Sequence, residues 1–292
     1  MITLDHLSMR FGRTTAVDDV SLTIRPGESV ALWGANGAGK TTILRCVTGL
    51  HRYRGRIEIG GIDAARDGKR ARQAIGYVPQ ELGFNDDLRV SAAIELFATL
   101  RGVRVQSVEE ILRRVQLHGH ERKRMRELSG GMKQRLALAI ALIGDPPALV
   151  LDEVTASLDA GGRAEFVALL ASLTRNTERS VLFASHRVEE INALAHRVVM
   201  LERGRVIEDL PVRDFVNRMA ESSMLHLSIE QPLRQRAIEV LLATGFGARL
   251  NGRGILVPVG LGQRMRPIHL LAENQITVHD FELTSAHGGG HS

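Results

Sequence analysis

The nine residues Gly34-Ala35-Asn36-Gly37-Ala38-Gly39-Lys40-Thr41-Thr42 place three glycines ahead of an ammonium and two hydroxyls. The spacing fits G-x-x-x-x-G-K-[ST], a pattern with a physical reason behind each residue type. Glycines allow backbone N–H groups to turn inward around an anion, and a helix opening at Lys40 adds positive potential there. Lys40 is suited to neutralise the β- and γ-phosphates of a nucleoside triphosphate, and the Thr41 hydroxyl to ligate Mg²⁺. A Gly-rich turn before a ligand-free helix would need neither the Lys nor the Thr.

A second stretch supplies acid groups. Ala148-Leu149-Val150-Leu151 reads as a buried strand that ends on Asp152 and Glu153. Asp152 at the strand end can hold a metal's water shell, and Glu153 can polarise a water for in-line attack on a γ-phosphate. An apolar run ending in two acids is common by itself. Its weight comes from lying downstream of the phosphate loop.

Further short motifs follow in order. Leu128-Ser129-Gly130-Gly131-Met132-Lys133-Gln134 opens an apolar helix, and its exposed amides make an anion site that lacks a lysine of its own. Taken singly each motif has a plain reading: Ser129-Gly130-Gly131 as a helix cap, Phe11 as a core residue, His186 as a structural histidine. Taken together the run resembles the signature motif of ABC-type ATPases. Tyr77-Val78-Pro79-Gln80 resembles that family's Q-loop, Ser157-Leu158-Asp159 its D-loop and Ala184-Ser185-His186 its switch histidine. Phe11-Gly12 resembles the aromatic that stacks on adenine. The resemblance covers roughly residues 1–215. Three positions depart from the usual pattern: Val154 stands in place of Pro, Ala156-Ser157 in place of a small residue and Gly, and Phe11 in place of Tyr.

The resemblance implies an ATPase that uses ATP and Mg²⁺. Glu153, His186, Lys40 and Gln80 would be its catalytic residues. Nucleotide would be held by Phe11, Gly34 to Thr42, and Ser129, Gly130 and Gly131, and the metal by Thr41, Gln80 and Asp152. It also implies a head-to-tail dimer with two ATP molecules at the interface, since one chain carries one phosphate loop and one signature. A homodimer is the default partner. A separate integral-membrane permease would take up the motion, through Gln80, the loop 81–89 and the helix from Val90 to Leu100. The stretch Ile276 to Leu283 resembles the C-terminal strand of ATPases serving ABC-2-type permeases, which are mostly exporters. The alternative is a regulatory or maturation-linked ABC ATPase, for example one serving copper-enzyme assembly.

The elements that position these residues alternate. Ile2–Met9, Val20–Ile24, Ser29–Trp33, Ile75–Val78, Ala148–Leu151, Ser180–Ala184 and Val198–Leu201 read as strands. Val90–Leu100 and Val108–Leu117 carry apolar residues three and four apart, as helices do. The expected fold is α/β: a P-loop core over 1–222 with an antiparallel β subdomain and a helical insert at about 85–145. A small α+β appendage over 223–285 follows, and a flexible tail over 286–292. That tail holds His287 and His291 on a Gly-rich coil, which sets no ligand geometry, so no metal is assigned there.

Composition limits the alternatives. The chain has 292 residues, 44% apolar and 24% charged, which is ordinary for a folded protein. The longest apolar run, Leu136 to Ile143, is too short to span a bilayer, and no signal peptide is visible at the start. The expectation is a cytoplasmic protein, peripheral on the inner face of the membrane through its permease. Cys46 is the only cysteine, so there is neither an internal disulfide nor a cysteine metal cluster. The net charge of +5 comes from 38 basic and 33 acidic residues, and the basic clusters at Arg66–Arg72 and Arg122–Arg126 contain or adjoin acids (Asp67, Glu121, Glu127), while aromatics are only 4%. Solvated helix faces explain those clusters better than a nucleic-acid surface, so no nucleic-acid partner is expected. The stretch from Gly49 to Leu128 is too short for the coiled-coil insert of a DNA-repair ATPase, and a small-molecule kinase would not need Ser129-Gly130-Gly131.

Overall fold

The computed structural model describes residues 1–105, 107–175, 177–221, 223–252, 254–260 and 265–285. They form two compact units, Met1–Val212 and Arg213–Ser292. His287 and His291, with the rest of the expected tail, lie outside the described residues.

The first unit opens with an antiparallel sheet of order β2-β1-β4-β5, built from β1 (Ile2–Phe11), β2 (Thr14–Ile24), β4 (Arg54–Ile59) and β5 (Ile62–Asp63). Between β2 and β4 lie β3 (Ser29–Trp33) and helix α1 (Lys40–Val47). Strand β2 begins six residues before the stretch read from alternation, because Thr14 and Thr15 pair with Phe11 and Arg10 across the hairpin. Pairing to a neighbour extends a strand past the end of its own apolar pattern.

A six-stranded mixed sheet of order β10-β9-β3-β8-β7-β6 forms the second layer. It contains β6 (Ile75–Val78), β7 (Ala148–Asp152), β8 (Ser180–Ala184), β9 (Arg197–Glu202) and β10 (Arg205–Pro211). All neighbours from β9 through β6 run parallel, and only β10 is antiparallel. Strands β7 and β8 are buried at every position, which is why they read as unbroken apolar runs and not as alternating ones. The core lies between the two sheets. Ile2, Leu4 and Leu22 pack there with Leu32, Val150, Leu182 and Val199, and Ile43 and Leu44 of α1 close it. Each fully buried side chain of this kind contributes about 1.5–3 kcal/mol.

Helix α2 (Gly68–Gln73) leads into β6, and the helical insert comprises α3 (Val90–Arg101), α4 (Val108–Arg114) and α5 (Gly130–Ala141). Helix α4 stops at Arg114, short of Leu117, because the chain turns at Gln116 with φ 56°. Helix α5 packs on α3, α4 and β6. Its approach to β6 is close: a Cβ at Gly76 would lie 2.2 Å from the Ala141 carbonyl oxygen. Helices α6 (Ala160–Thr174) and α7 (Val188–Leu194) complete the unit and pack on each other. Among the described residues no helix is long and apolar enough to cross a membrane.

Helix α8 (Val212–Glu221) starts on the last residue of the first unit, and the second unit goes on with β11 (Ser223–Ser228), α9 (Arg234–Ala243), β12 (Arg249–Asn251), β13 (Gly254–Val259), α10 (Arg266–Glu273) and β14 (Asp280–Ser285). From β11 onward the order is βαββαβ, and the antiparallel sheet runs β12-β13-β11-β14, the split arrangement of a ferredoxin-like layer. Its own core joins Leu225, Leu227, Ile255 and Val257 to Ala237 and Leu241 of α9 and Leu271 of α10.

Candidate functional site

Parallel pairing assembles the site. Leu32 of β3 lies beside Ala184 of β8, which lies beside Asp152 of β7, and Leu151 lies beside Val78 of β6. The carboxyl ends of these four strands therefore share one edge, where α/β sheets present their ligands. The loop Gly34–Gly39 leaves β3 there, Glu153 follows β7, His186 follows β8 by one intervening residue, and Gln80 follows β6 likewise.

Helix α1 opens at Gly39, which has φ 106° and no side chain to cap the first turn. No acid stands in that turn either, so neither a side-chain cap nor a carboxylate offsets the positive end of the helix dipole. The Lys40 Nζ donates to the carbonyl oxygens of Gly34 at 2.7 Å and Ala35 at 3.1 Å, inside the loop it belongs to. Burial holds its ammonium below the ordinary lysine value, against the pull of Glu153 and Asp152. Thr41 Oγ1 donates to Asp152 Oδ1 at 3.0 Å. Burial raises the Asp152 carboxyl, the Thr41 bond lowers it, and the charge of Glu153 raises it again. Thr42 follows in the first turn of α1 and is half-buried.

Glu153 adopts φ 44°, unusual for a residue with a side chain, and its amide donates to the Ala184 carbonyl at 3.1 Å. This backbone bends the carboxylate toward two partners. Gln80 Nε2 donates to Glu153 Oε2 at 3.4 Å, and His186 Nδ1 stands 3.6 Å from the same oxygen. The Glu153 side chain is 13% exposed and that of His186 48%. Lys40, Thr41, Gln80, Asp152, Glu153 and His186 thus converge, although the sequence scatters them over almost 150 positions.

Phe11, at the end of β1, is 51% exposed, with its ring edge-on to His51 at 5.3 Å and 87°. About half of its surface is open to solvent. His51 was not singled out by the sequence reading, since nothing local ties it to Phe11.

Ser129, Gly130 and Gly131 lie elsewhere. Ser129 caps α5, accepting from the Met132 amide at 3.3 Å. They line a cavity of about 350 Å³ with Ser157, Leu158 and Asp159, and no residue of the 34–42 loop lines it. Asp159 in turn caps α6 by accepting from the Gly162 amide at 2.7 Å. One chain therefore presents two separate helix starts, Gly39 before α1 and Ser129 before α5.

The ABC transporter family model matches residues 17–156. The sulfate/thiosulfate import ATP-binding protein CysA of Xanthomonas campestris pv. campestris is 39% identical over 224 residues, which are 73% of this chain and 64% of that protein. The Nod factor export ATP-binding protein I of Burkholderia pseudomallei is 33% identical over 240 residues, 80% of this chain and 79% of that protein. This chain belongs to the ABC transporter ATP-binding family. Among solved structures, the dimeric post-hydrolysis state of the ATP-binding cassette MJ0796 bound to ADP and Pi superposes with TM-score 0.65 and 26% identity. It covers 73% of this chain and 99% of that one.

Membership of the ABC family agrees with the P-loop core and helical insert seen here. The chain spans less than two thirds of the length of the sulfate/thiosulfate importer. The matched stretch holds Lys40, Gln80, Ser129, Asp152 and Glu153, whereas His186 and Phe11 fall outside it. Those two enter through their positions in the structure. The sequence reading also passed over Thr155, Arg163 and Glu190: the buried Thr155 hydroxyl bonds the buried Glu190 carboxylate, and half-buried Arg163 pairs with it. The only local signal was the pair Glu189-Glu190 close after His186.

Proposed function

We propose that this chain binds and hydrolyses ATP as the motor subunit of an ABC transporter. The observation that carries the reading is the convergence of Lys40, Thr41, Asp152, Glu153 and His186 on one sheet edge. Oxygen donors from Thr41, Asp152 and Gln80 suit a hard cation such as Mg²⁺, and a bound Mg²⁺ would offset phosphate charge. Lys40 then leaves its loop carbonyls for the phosphates, and the amides opening α1 bind the same oxygens. Glu153 takes a proton from water as its oxygen attacks the γ-phosphorus, and ADP departs as leaving group. His186 and Gln80 hold the Glu153 carboxylate in place.

Two separate helix starts on one chain support a head-to-tail dimer. The Ser129–Gly131 helix end of one subunit would close on the γ-phosphate held by the other. A second copy of this chain is the simplest partner, and a separate membrane permease would receive the motion. The helical insert offers exposed Leu96 and Leu100 on α3 for that contact. We read the permease as an ABC-2-type exporter. The resemblance of Ile276 to Leu283 to the C-terminal strand of ATPases serving such permeases supports this.

Size-exclusion chromatography of Glu153→Gln with and without ATP–Mg²⁺ tests the reading. A nucleotide-dependent shift from monomer to dimer is expected. ATP bound without any shift would overturn self-dimerisation.

A further inference from the structure

Glu190 lies in the first turn of α7 and is 6% exposed. Four groups surround its carboxylate. The hydroxyl of Thr155 donates to Oε1, and that of Ser185 donates to Oε2 at 2.7 Å. The guanidinium Nε atoms of Arg163 and Arg187 each stand 3.7 Å from Oε1. A carboxylate this deep is costly unless it is paired and hydrogen-bonded, and here it is both.

The groups belong to different loops. Thr155 lies two residues after Glu153, in the bend where Glu153 takes φ 44°. Ser185 immediately precedes His186, and its oxygen also accepts from the Arg187 amide at 3.1 Å. Arg163 stands on α6 and donates through Nη2 to the Leu158 carbonyl at 2.9 Å. Leu158 belongs to the loop that lines the cavity beside Ser129–Gly131. One carboxylate is thus bonded to the loop of the base and to the loop of the histidine. Through Arg163 it also reaches the loop beside Ser129–Gly131.

We propose that Glu190 is a positioning residue, which holds Thr155, Ser185 and Arg163 together and so sets the spacing of Glu153 and His186. This rests on the reading of Glu153 as base and His186 as its partner. The 3.6 Å between them depends on two loops that share no backbone hydrogen bond beyond that of the Glu153 amide to Ala184 among those described. Glu190 supplies the remaining tie at side-chain level. It also joins the Ser157–Asp159 loop, through Arg163, to Thr155 two residues from the base.

The test compares Glu190→Gln, Thr155→Val and Thr155→Ser in the full chain. Steady-state ATP–Mg²⁺ turnover, affinity for a fluorescent ATP analogue and melting temperature are measured for each. Displacing a reacting group by about 1 Å costs up to ~10²-fold in rate. Turnover is therefore expected to fall about 10–100-fold in Glu190→Gln and Thr155→Val, with nucleotide affinity held within about twofold. Thr155→Ser, which restores the hydroxyl, should recover most of the loss. In a His186→Ala background, Glu190→Gln should cost less than about twofold more, because the Glu153–His186 spacing that it sets no longer has its second member. Wild-type turnover in Thr155→Val, or losses that multiply in the His186→Ala cycle, would overturn the proposal. So would affinity falling in step with turnover. Losses that multiply while His186→Ala is itself impaired remove this proposal and leave the catalytic reading standing. A His186→Ala variant with wild-type turnover removes both.

Discussion

The Thr41 hydroxyl donates to Asp152 Oδ1 at 3.0 Å, joining the first turn of α1 to the end of β7 across 111 positions of sequence. The bond places a hydroxyl and a carboxylate, both oxygen donors, at the mouth of the 34–42 loop. It also partly offsets the cost of burying Asp152, which is 1% exposed.

That burial has a consequence for stability. Because the Asp152 carboxyl is raised in the folded chain above its ordinary 3.8, folding favours its neutral form. Its contribution is present below the unfolded value and is lost as pH rises through the folded one. Asp152→Asn should therefore melt higher than wild type at neutral pH without nucleotide. The gap should close as pH falls through the carboxylate range, and ATP–Mg²⁺ turnover should be lost. A lower melting temperature at neutral pH would show that the charge is stabilising.

Among the described residues the Lys40 ammonium bonds to carbonyls of its own loop, at Gly34 and Ala35, so its strongest partner is expected to be a phosphate. Charge-assisted bonds of this kind contribute about 1.5–3 kcal/mol. Lys40→Ala should weaken ATP affinity roughly 10–100-fold by fluorescence titration. Unchanged affinity would place the phosphates elsewhere.

Gly39 is held at φ 106°, and a Cβ there would come within 2.7 Å of the Ala16 carbonyl oxygen. Gly39→Ala combines backbone strain with a clash against main chain. It should lower stability by about 1–3 kcal/mol in urea titration and abolish nucleotide binding. Wild-type stability would mean that the loop relaxes at no cost.

Phe11 presents an exposed ring that stands perpendicular to that of His51. Base stacking on an aromatic contributes about 1–3 kcal/mol. Phe11→Ala should raise KM for ATP about 5–100-fold and leave kcat near wild type, and Phe11→Tyr should restore KM. A fall in kcat at constant KM would exclude a stacking role.

Local chemistry made much of this protein legible in sequence. The glycines before Lys40 dictate an amide-lined turn, and the unbroken apolar runs of β3, β7 and β8 dictate strands buried on both faces. The acids after Leu151 and the serine before Gly130 announce a strand end and a helix start. Each depends on neighbours within a few residues, so the order of residues determines it. Other features depend on groups that meet only when the sheet forms. Parallel register brings Gln80 and His186 to Glu153, and no spacing in the chain encodes a distance of 3.6 Å. The positive φ of Glu153, the edge contact of Phe11 with His51 and the burial of Glu190 among Thr155, Ser185, Arg163 and Arg187 are of this second kind. A Glu-Glu pair on a short helix looks solvated from sequence, because burial of a charge is set by partners supplied from other strands and helices. Strand identity was thus a matter of local sequence, whereas side-chain proximity at the site was decided by tertiary packing.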